Sequence, residues 1–443
     1  MTNPKSRIFA AVAGTLALGA AAWAVEPTQA ERIEALEAQV AQLQARQAQD
    51  TSTLAATIDS VLRDAERRSQ LLAAGGAGAG YDDGFFIRGN NWELRPGAQF
   101  QFRGVADFRD DDDDDDLIDD ITDDTEAGFE IRRMKLWLRG YAVSPNLTYS
   151  FIWVANREGG GVSLEDAEVK YRFADTWAVR AGQYKDPVNH EELVSSTRQL
   201  AADRSLLNEL LGGGVLDRTQ GVSIIYGDYT ANAPIYAELM LHDGLNQDNT
   251  NYTDHTFEWG VAGRLEFKAM GDWKSYRDFS AMNNKENLLV IGGGFDYSDA
   301  NGPGEVWTGA LDVQFETDKL GLFGAAIVRS IDKKLLGTRD NMTDWGLLVQ
   351  AGYMLSPSWE IFGRYDVTIF DEDVIANEDT FHEFTIGLNY FLGENGSAGH
   401  RAKITVDLTW LPNGAPNEQT GLGILGNTDK DEVVLRGQFQ LVL

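Results

Sequence analysis

From Trp92 to Leu443 apolar residues recur at every second position, and this alternation constrains the fold more than any other feature of the chain. In its first stretch Leu94, Ala98, Phe100, Phe102, Gly104, Ala106 and Phe108 hold the even numbers, with Arg95, Gln99, Gln101, Arg103 and Asp107 between them. Successive side chains point to opposite faces of a strand, so one face is greasy and the other wet. The pattern recurs in sixteen segments: 92–108, 129–143, 147–156, 165–173, 177–185, 218–227, 234–242, 256–268, 288–297, 305–316, 320–331, 343–355, 358–369, 380–391, 401–411 and 432–443. Most reach the roughly 9 to 11 residues that a tilted strand needs to cross a bilayer.

The joins are as informative as the strands. Even-numbered joins are mostly short, as at Ser144-Pro145-Asn146, Ala174-Asp175-Thr176, Thr317-Asp318-Lys319 and Ser356-Pro357. Odd-numbered joins are mostly long and acidic, as at 109–128, 186–217, 243–255 and 412–431. Tight turns at one end and long loops at the other mark a barrel of the bacterial outer membrane. The even-numbered join 269–287 is an exception, being long where a tight turn is expected. A closed barrel leaves no strand edge bare in lipid, and sixteen strands enclose an aqueous bore. Trp177, Trp259, Trp307, Trp345, Trp359 and Trp410 fall in the apolar phase near segment ends, where an interfacial girdle would hold them. The expected fold is therefore all-β: a sixteen-stranded antiparallel transmembrane β-barrel over 92–443, preceded by a short N-terminal coiled-coil helix.

Upstream, Lys5 and Arg7 precede an apolar run from Ile8 to Leu18 and small residues ending at Ala22-Trp23-Ala24, so residues 1–24 read as a secretory signal peptide. Within 25–72, Ile33, Leu36, Val40 and Leu43 step by three and four, the seam of a coiled coil, and apolar positions return at Leu54, Ile58 and Val61. A helix lying against another surface would show the same stripe. Residues 73–91 open with AAGGAGAG and read as a flexible linker. The absence of cysteine rules out disulfides and thiolate catalysis, and the net charge of −31 opposes nucleic-acid binding.

Three stretches resemble the phosphate-selective porin O and P family: YDDGFFIRGNNWELRPGAQFQFRG at 81–104, FEIRRMKLWLRGYAVSPNLTYSFIWV at 129–154, and AEVKYRFADTWAVRAGQYKDPVNHEELVSSTRQLAADRSLLNELL at 167–211. The third is the most specific, with Gly182-Gln183-Tyr184-Lys185 ahead of a Ser-Ser pair and Arg204-Ser205. The resemblance implies an outer-membrane homotrimer of sixteen-stranded barrels, a third loop folded inward, and passage of small hydrophilic solutes or inorganic anions such as phosphate. Segment counting places 186–217 as the third loop independently of it.

If the apolar phase meets lipid, the wet phase supplies the lumen. Arg95, Arg103, Arg133, Lys135, Arg139, Arg180, Arg264, Arg329, Arg364, Lys403 and Arg436 are then channel-lining cations, joined by Arg198 and Arg204 from the third loop. Arginine suits oxyanions because its planar fork pairs two oxygens. Glu168, Glu238, Glu258, Asp312, Glu360 and Asp407 share that phase, and Glu191, Glu192 and Asp203 sit in the loop, so a mixed-charge pore of weak selectivity is the competing reading. The first long loop carries Asp111, Asp112, Asp113, Asp114, Asp115 and Asp116, oxygen ligands suited to a divalent cation, though a solvated acidic loop reads the same way. Five scattered histidines without a hydrolase or metalloprotease motif point away from an enzyme, and no cofactor is implied. An alternative from another class is a structural envelope protein whose coiled coil tethers the outer membrane, with a non-selective or cation-preferring pore.

Overall fold

The computed structural model describes residues 78–82, 84–109, 125–212, 217–227, 229, 233–244, 258–282, 284–299, 304–332, 341–371, 379–425 and 431–443. The expected signal peptide, coiled coil and Asp111–Asp116 run lie outside the described residues.

Sixteen of the described strands form one antiparallel sheet closed on itself. They are β3 (Trp92–Arg109), β4 (Thr125–Ala142), β5 (Leu147–Ala155), β6 (Val162–Arg172), β7 (Trp177–Lys185), β8 (Arg218–Tyr226), β9 (Ile235–His242) and β10 (Trp259–Met270). They continue as β11 (Leu288–Asp299), β12 (Glu305–Glu316), β13 (Leu320–Ile331), β14 (Met342–Ser356), β15 (Trp359–Ile369), β16 (Thr380–Phe391), β17 (Ala402–Leu411) and β18 (Glu432–Val442). Each pairs with its sequence neighbour, and β18 closes the ring on β3 from Glu432 opposite Arg109 to Val442 opposite Gln99. The strand bounds fall within a few residues of the sixteen alternating segments.

The alternation explains which side faces what. Leu311, Leu265, Leu241 and Ile386 lie on the outer face and are more than half exposed, while Asp312, Glu266, His242 and Thr385 beside them in sequence are buried inside. An outer surface this apolar is stable only against hydrocarbon, and closure leaves no backbone group unpaired there. Trp177 meets Tyr226 edge-on, and Trp359 packs at a tilt on Tyr390, at the tight-turn end; Trp259 near Tyr297, with Trp307, Trp345 and Trp410, lies at the long-loop end. The two aromatic girdles follow from the segment-end positions of these residues.

Residues 78–88, assigned to the linker from their glycines, instead form a hairpin of β1 (Gly78–Tyr81) and β2 (Phe85–Arg88), which joins the sheet where Ile87 faces Leu94. Tyr81, Phe85, Phe86 and Ile87 give this stretch strand propensity, and Arg88 pairs with Glu93 at 2.7 Å. Arg401 donates to the Tyr81 hydroxyl at 2.9 Å, fixing the hairpin at the tight-turn end.

The long join after β7, described over residues 186–212, folds into the barrel. Its Val188, Val194, Leu200, Leu206, Leu207 and Leu211 pack on inward-facing Phe323, Ala325, Ile327, Leu348 and Phe362. Glycines make room for it: a Cβ on Gly346 would lie 2.3 Å from Leu207, and one on Gly294 would lie 2.4 Å from the Val188 carbonyl oxygen. A buried loop must satisfy its own backbone, and wall carboxylates do so here. The amides of Ala202, Leu206 and Leu207 donate to Asp407 (2.8 Å), Glu383 (2.6 Å) and Asp366 (2.9 Å).

Candidate functional site: a cation-lined cavity in the lumen

Because the loop leans on β10 to β18, open space remains along β4 to β9. A cavity of about 920 Å³ lies there. Arg132, Arg133, Lys135, Arg139, Arg180 and Lys185 line it from the wall, with Arg198, Arg204, Arg218 and Arg277 completing the cations. Against these ten stand six acids: Glu165, Asp166, Glu192, Glu209, Asp217 and Glu238. The lining thus has an excess of four positive charges in a chain whose net charge is −31.

Two β-bulges create part of this lining. Across β3 and β4, Gln101 faces Arg133 and Phe102 faces Ile131, so Arg132 is the extra residue. Across β5 and β6, Ile152 faces Asp166 and Trp153 faces Leu164, leaving Glu165 as the extra residue. Strict alternation would send Arg132 and Glu165 to lipid; the bulges turn each inward beside its charged neighbour. Arg132 then bonds Asp203 at 3.1 Å, and Glu165 accepts from Lys135 at 2.5 Å and pairs with Arg218 at 3.0 Å.

The cations expected from the sequence fall into three groups. Arg133, Lys135, Arg139, Arg180, Arg198 and Arg204 line the cavity. Arg103, Arg264, Arg329, Arg364, Lys403 and Arg436 also point inward but are buried, outside the cavity lining. There Arg264 pairs with Asp312 (2.8 Å), Arg364 with Glu383 (2.6 Å) and Arg436 with Asp407 (2.6 Å). Arg329 donates to the Leu210 carbonyl at 2.7 Å and Lys403 to that of Gln199 at 2.7 Å, so these side chains hold the loop. Arg95 stands apart by the hairpin, bonded to Glu93 at 2.6 Å and to the Asp82 carbonyl at 2.8 Å.

Asp203 is the loop's central anchor. Its carboxylate accepts from Arg132, from Arg133 at 2.6 Å and from Arg103, while its carbonyl accepts from Arg364 at 2.9 Å. Burial alone would raise this carboxyl, but Arg132, Arg133 and Arg103 outweigh it and hold the group well below the usual carboxylate range. Glu191, weighed as an opposing charge, accepts from the Ser205 amide and hydroxyl at 2.9 and 2.6 Å and braces the loop internally. Arg139 lies over the Trp137 ring at 5.0 Å and donates weakly to Ser150 at 3.3 Å. Arg139, Arg198 and Arg277 form no ion pair among the described residues, which leaves three of the ten lining cations outside any salt bridge.

A closed sixteen-stranded barrel with an inward third loop and a charged cavity along its bore is the architecture of a diffusion porin. The profile of one family, phosphate-selective porin O and P, matches residues 102–397. The chain belongs to that family. As such porins do, it resides in the outer membrane, so the tight turns face the periplasm and the long loops the outside. Its fold is similar to that of OmpF of Salmonella typhi in complex with daunomycin, at 13% identity and a TM-score of 0.51, covering 82% of this porin and 100% of that chain. It is likewise similar to OprB of Pseudomonas putida, at 10% identity and a TM-score of 0.50, covering 80% and 94%. An uncharacterized protein of Aquifex aeolicus is 26% identical over 282 residues, 57% of this porin and 65% of that protein.

Proposed function

We propose that this porin is a passive channel for small hydrophilic solutes, that the cavity beside β4 to β9 is its conducting path, and that the path prefers anions, phosphate among them. The observation that carries the reading is the excess of four positive charges among the described lining residues, with Arg139 and Arg198 outside any ion pair there. Fixed charges act on an ion over about 8 Å at physiological ionic strength, a reach comparable with the dimensions of a cavity of about 920 Å³. Low-dielectric walls focus that field, which lowers the entry barrier for anions and raises it for cations. Arginine forks can replace two hydration contacts of a phosphate oxygen pair, which favours oxyanions over halides. Among the described residues six acids line the cavity against ten cations, so the net charge of the chain does not set the sign of this lining. We extend the proposal to a homotrimer in contact with outer-membrane lipid, the assembly the family implies.

Purified porin in planar bilayers under a potassium chloride gradient tests this reading. The reversal potential should take the sign of chloride, and added phosphate should depress the chloride current. A reversal potential of the potassium sign, or none, would overturn the anion preference.

A further inference from the structure

The join between β10 and β11, residues 271–287, is periplasmic yet far longer than the neighbouring joins 317–319 and 357–358. Trp273, Tyr276 and Phe279 within it are 1, 1 and 2% exposed, burial that a turn at an open aqueous mouth cannot provide. The segment instead rises into the lumen. A Cβ on inward-facing Gly321 would sit 2.7 Å from the Phe279 carbonyl oxygen.

Inside, it meets the third loop. The His190 ring stacks on Tyr276 with centroids 3.9 Å apart and planes 10° from parallel, and Phe279 meets the same ring edge-on at 5.7 Å. Two wall residues grip both segments at once. Arg264 donates to the Val188 carbonyl at 2.8 Å and to the Tyr276 hydroxyl at 3.0 Å. Gln314 bonds the His190 ring at 3.1 Å and donates to the Asp278 carbonyl at 2.6 Å. Burial pushes His190 down to about 3, which favours the neutral ring in this stack. At the margin of the segment Arg277 is exposed and lines the cavity.

We propose that the periplasmic segment 271–282 is a second constriction element, which wedges the third loop in place from below and adds Arg277 to the cations of the conducting path. The proposal rests on the cavity being that path. Two segments entering from opposite ends then share one contact, and neither alone would close the β10 to β16 side of the bore.

Full-length porin carrying a short glycine-serine turn in place of 272–286 tests the wedge in planar bilayers. Its single-channel conductance should rise, with greater open-channel noise, because the loop has lost its support. Unchanged conductance and noise from a variant that still shows the heat-dependent gel mobility of a folded barrel would overturn the proposal. Should that variant not insert, Tyr276→Ala keeps the turn, removes the stacked ring and carries the same comparison. Arg277→Glu, at an exposed position, should lower the chloride-to-potassium permeability ratio, and an unaltered ratio would remove Arg277 from the path. A parent channel lacking anion preference would sink the charge reading of the cavity and leave the conductance comparison standing, so the two failures are distinguishable.

Discussion

Replacing Asp203 by alanine should turn a quiet, narrow channel into a wide and noisy one with stronger anion preference. Asp203 gathers Arg103, Arg132 and Arg133 onto one buried carboxylate, and Arg103 has no exposed surface of its own. Removing one partner of a buried ion pair typically costs about 3 to 5 kcal/mol, because the remaining charge is left unpaired. Here the cheapest relief is for the loop to leave β3 and β4, letting the guanidiniums reach water. The barrel itself, held by its closed ladder, should stay folded, and the unheated gel mobility should be retained. Single-channel conductance and reversal potential read the two effects together. Asp203→Asn, which keeps the shape and loses the charge, should shift the reversal potential with a smaller gain in conductance. A conductance indistinguishable from the parent in Asp203→Ala would mean that this carboxylate does not hold the loop.

Charge reversal at Arg139 and Arg198 should abolish the anion preference. Neither side chain forms an ion pair among the described residues, so replacing both by glutamate breaks no salt bridge, costs only the weak Arg139–Ser150 bond and the Trp137 contact, and should spare the fold. The substitution moves the lining from an excess of four positive charges to balance. Permeability ratios for chloride and potassium should then approach unity, while conductance changes little because the loop anchors are untouched. Arg95→Gln, at the hairpin rather than in the cavity, serves as the control and should leave the ratio as it was. Retention of full anion preference by the double variant would place the selectivity elsewhere.

The barrel was legible because lipid and water impose a period of two on every strand and turn length separates its two ends. Alternation states which side chains point inward; it says nothing of what covers them. Arg264, Arg364, Lys403 and Arg436 therefore read as pore cations, although each is buried beneath segments folded into the barrel, Arg436 against Leu422 and Arg264 against Val188 and Tyr276 among them. A signal of that cover was present: β13 carries Phe323, Ala325 and Ile327 on its inner face, and apolar residues facing a water-filled bore require something to pack on them. Arg132 was missed because the phase argument assumes an unbroken register. An arginine falling in the lipid phase beside another in the wet phase is itself the mark of a bulge, and Glu165 beside Asp166 repeats it. The overlong join 269–287 stood out by length alone. Its aromatics at 273, 276 and 279 recur at every third position, a spacing no two-residue turn would need, and they are what carries it inside.

Single-cysteine accessibility tests most directly whether one side of the bore conducts while the other is filled, since the chain has no cysteine of its own. Ser163 lines the cavity and Thr405 points inward on β17 beneath the loop, with no exposed surface. A negatively charged methanethiosulfonate applied during bilayer recording should modify Ser163→Cys and reduce the current, and should leave Thr405→Cys unmodified. Rapid modification and block at Thr405→Cys, with Ser163→Cys silent, would contradict the account.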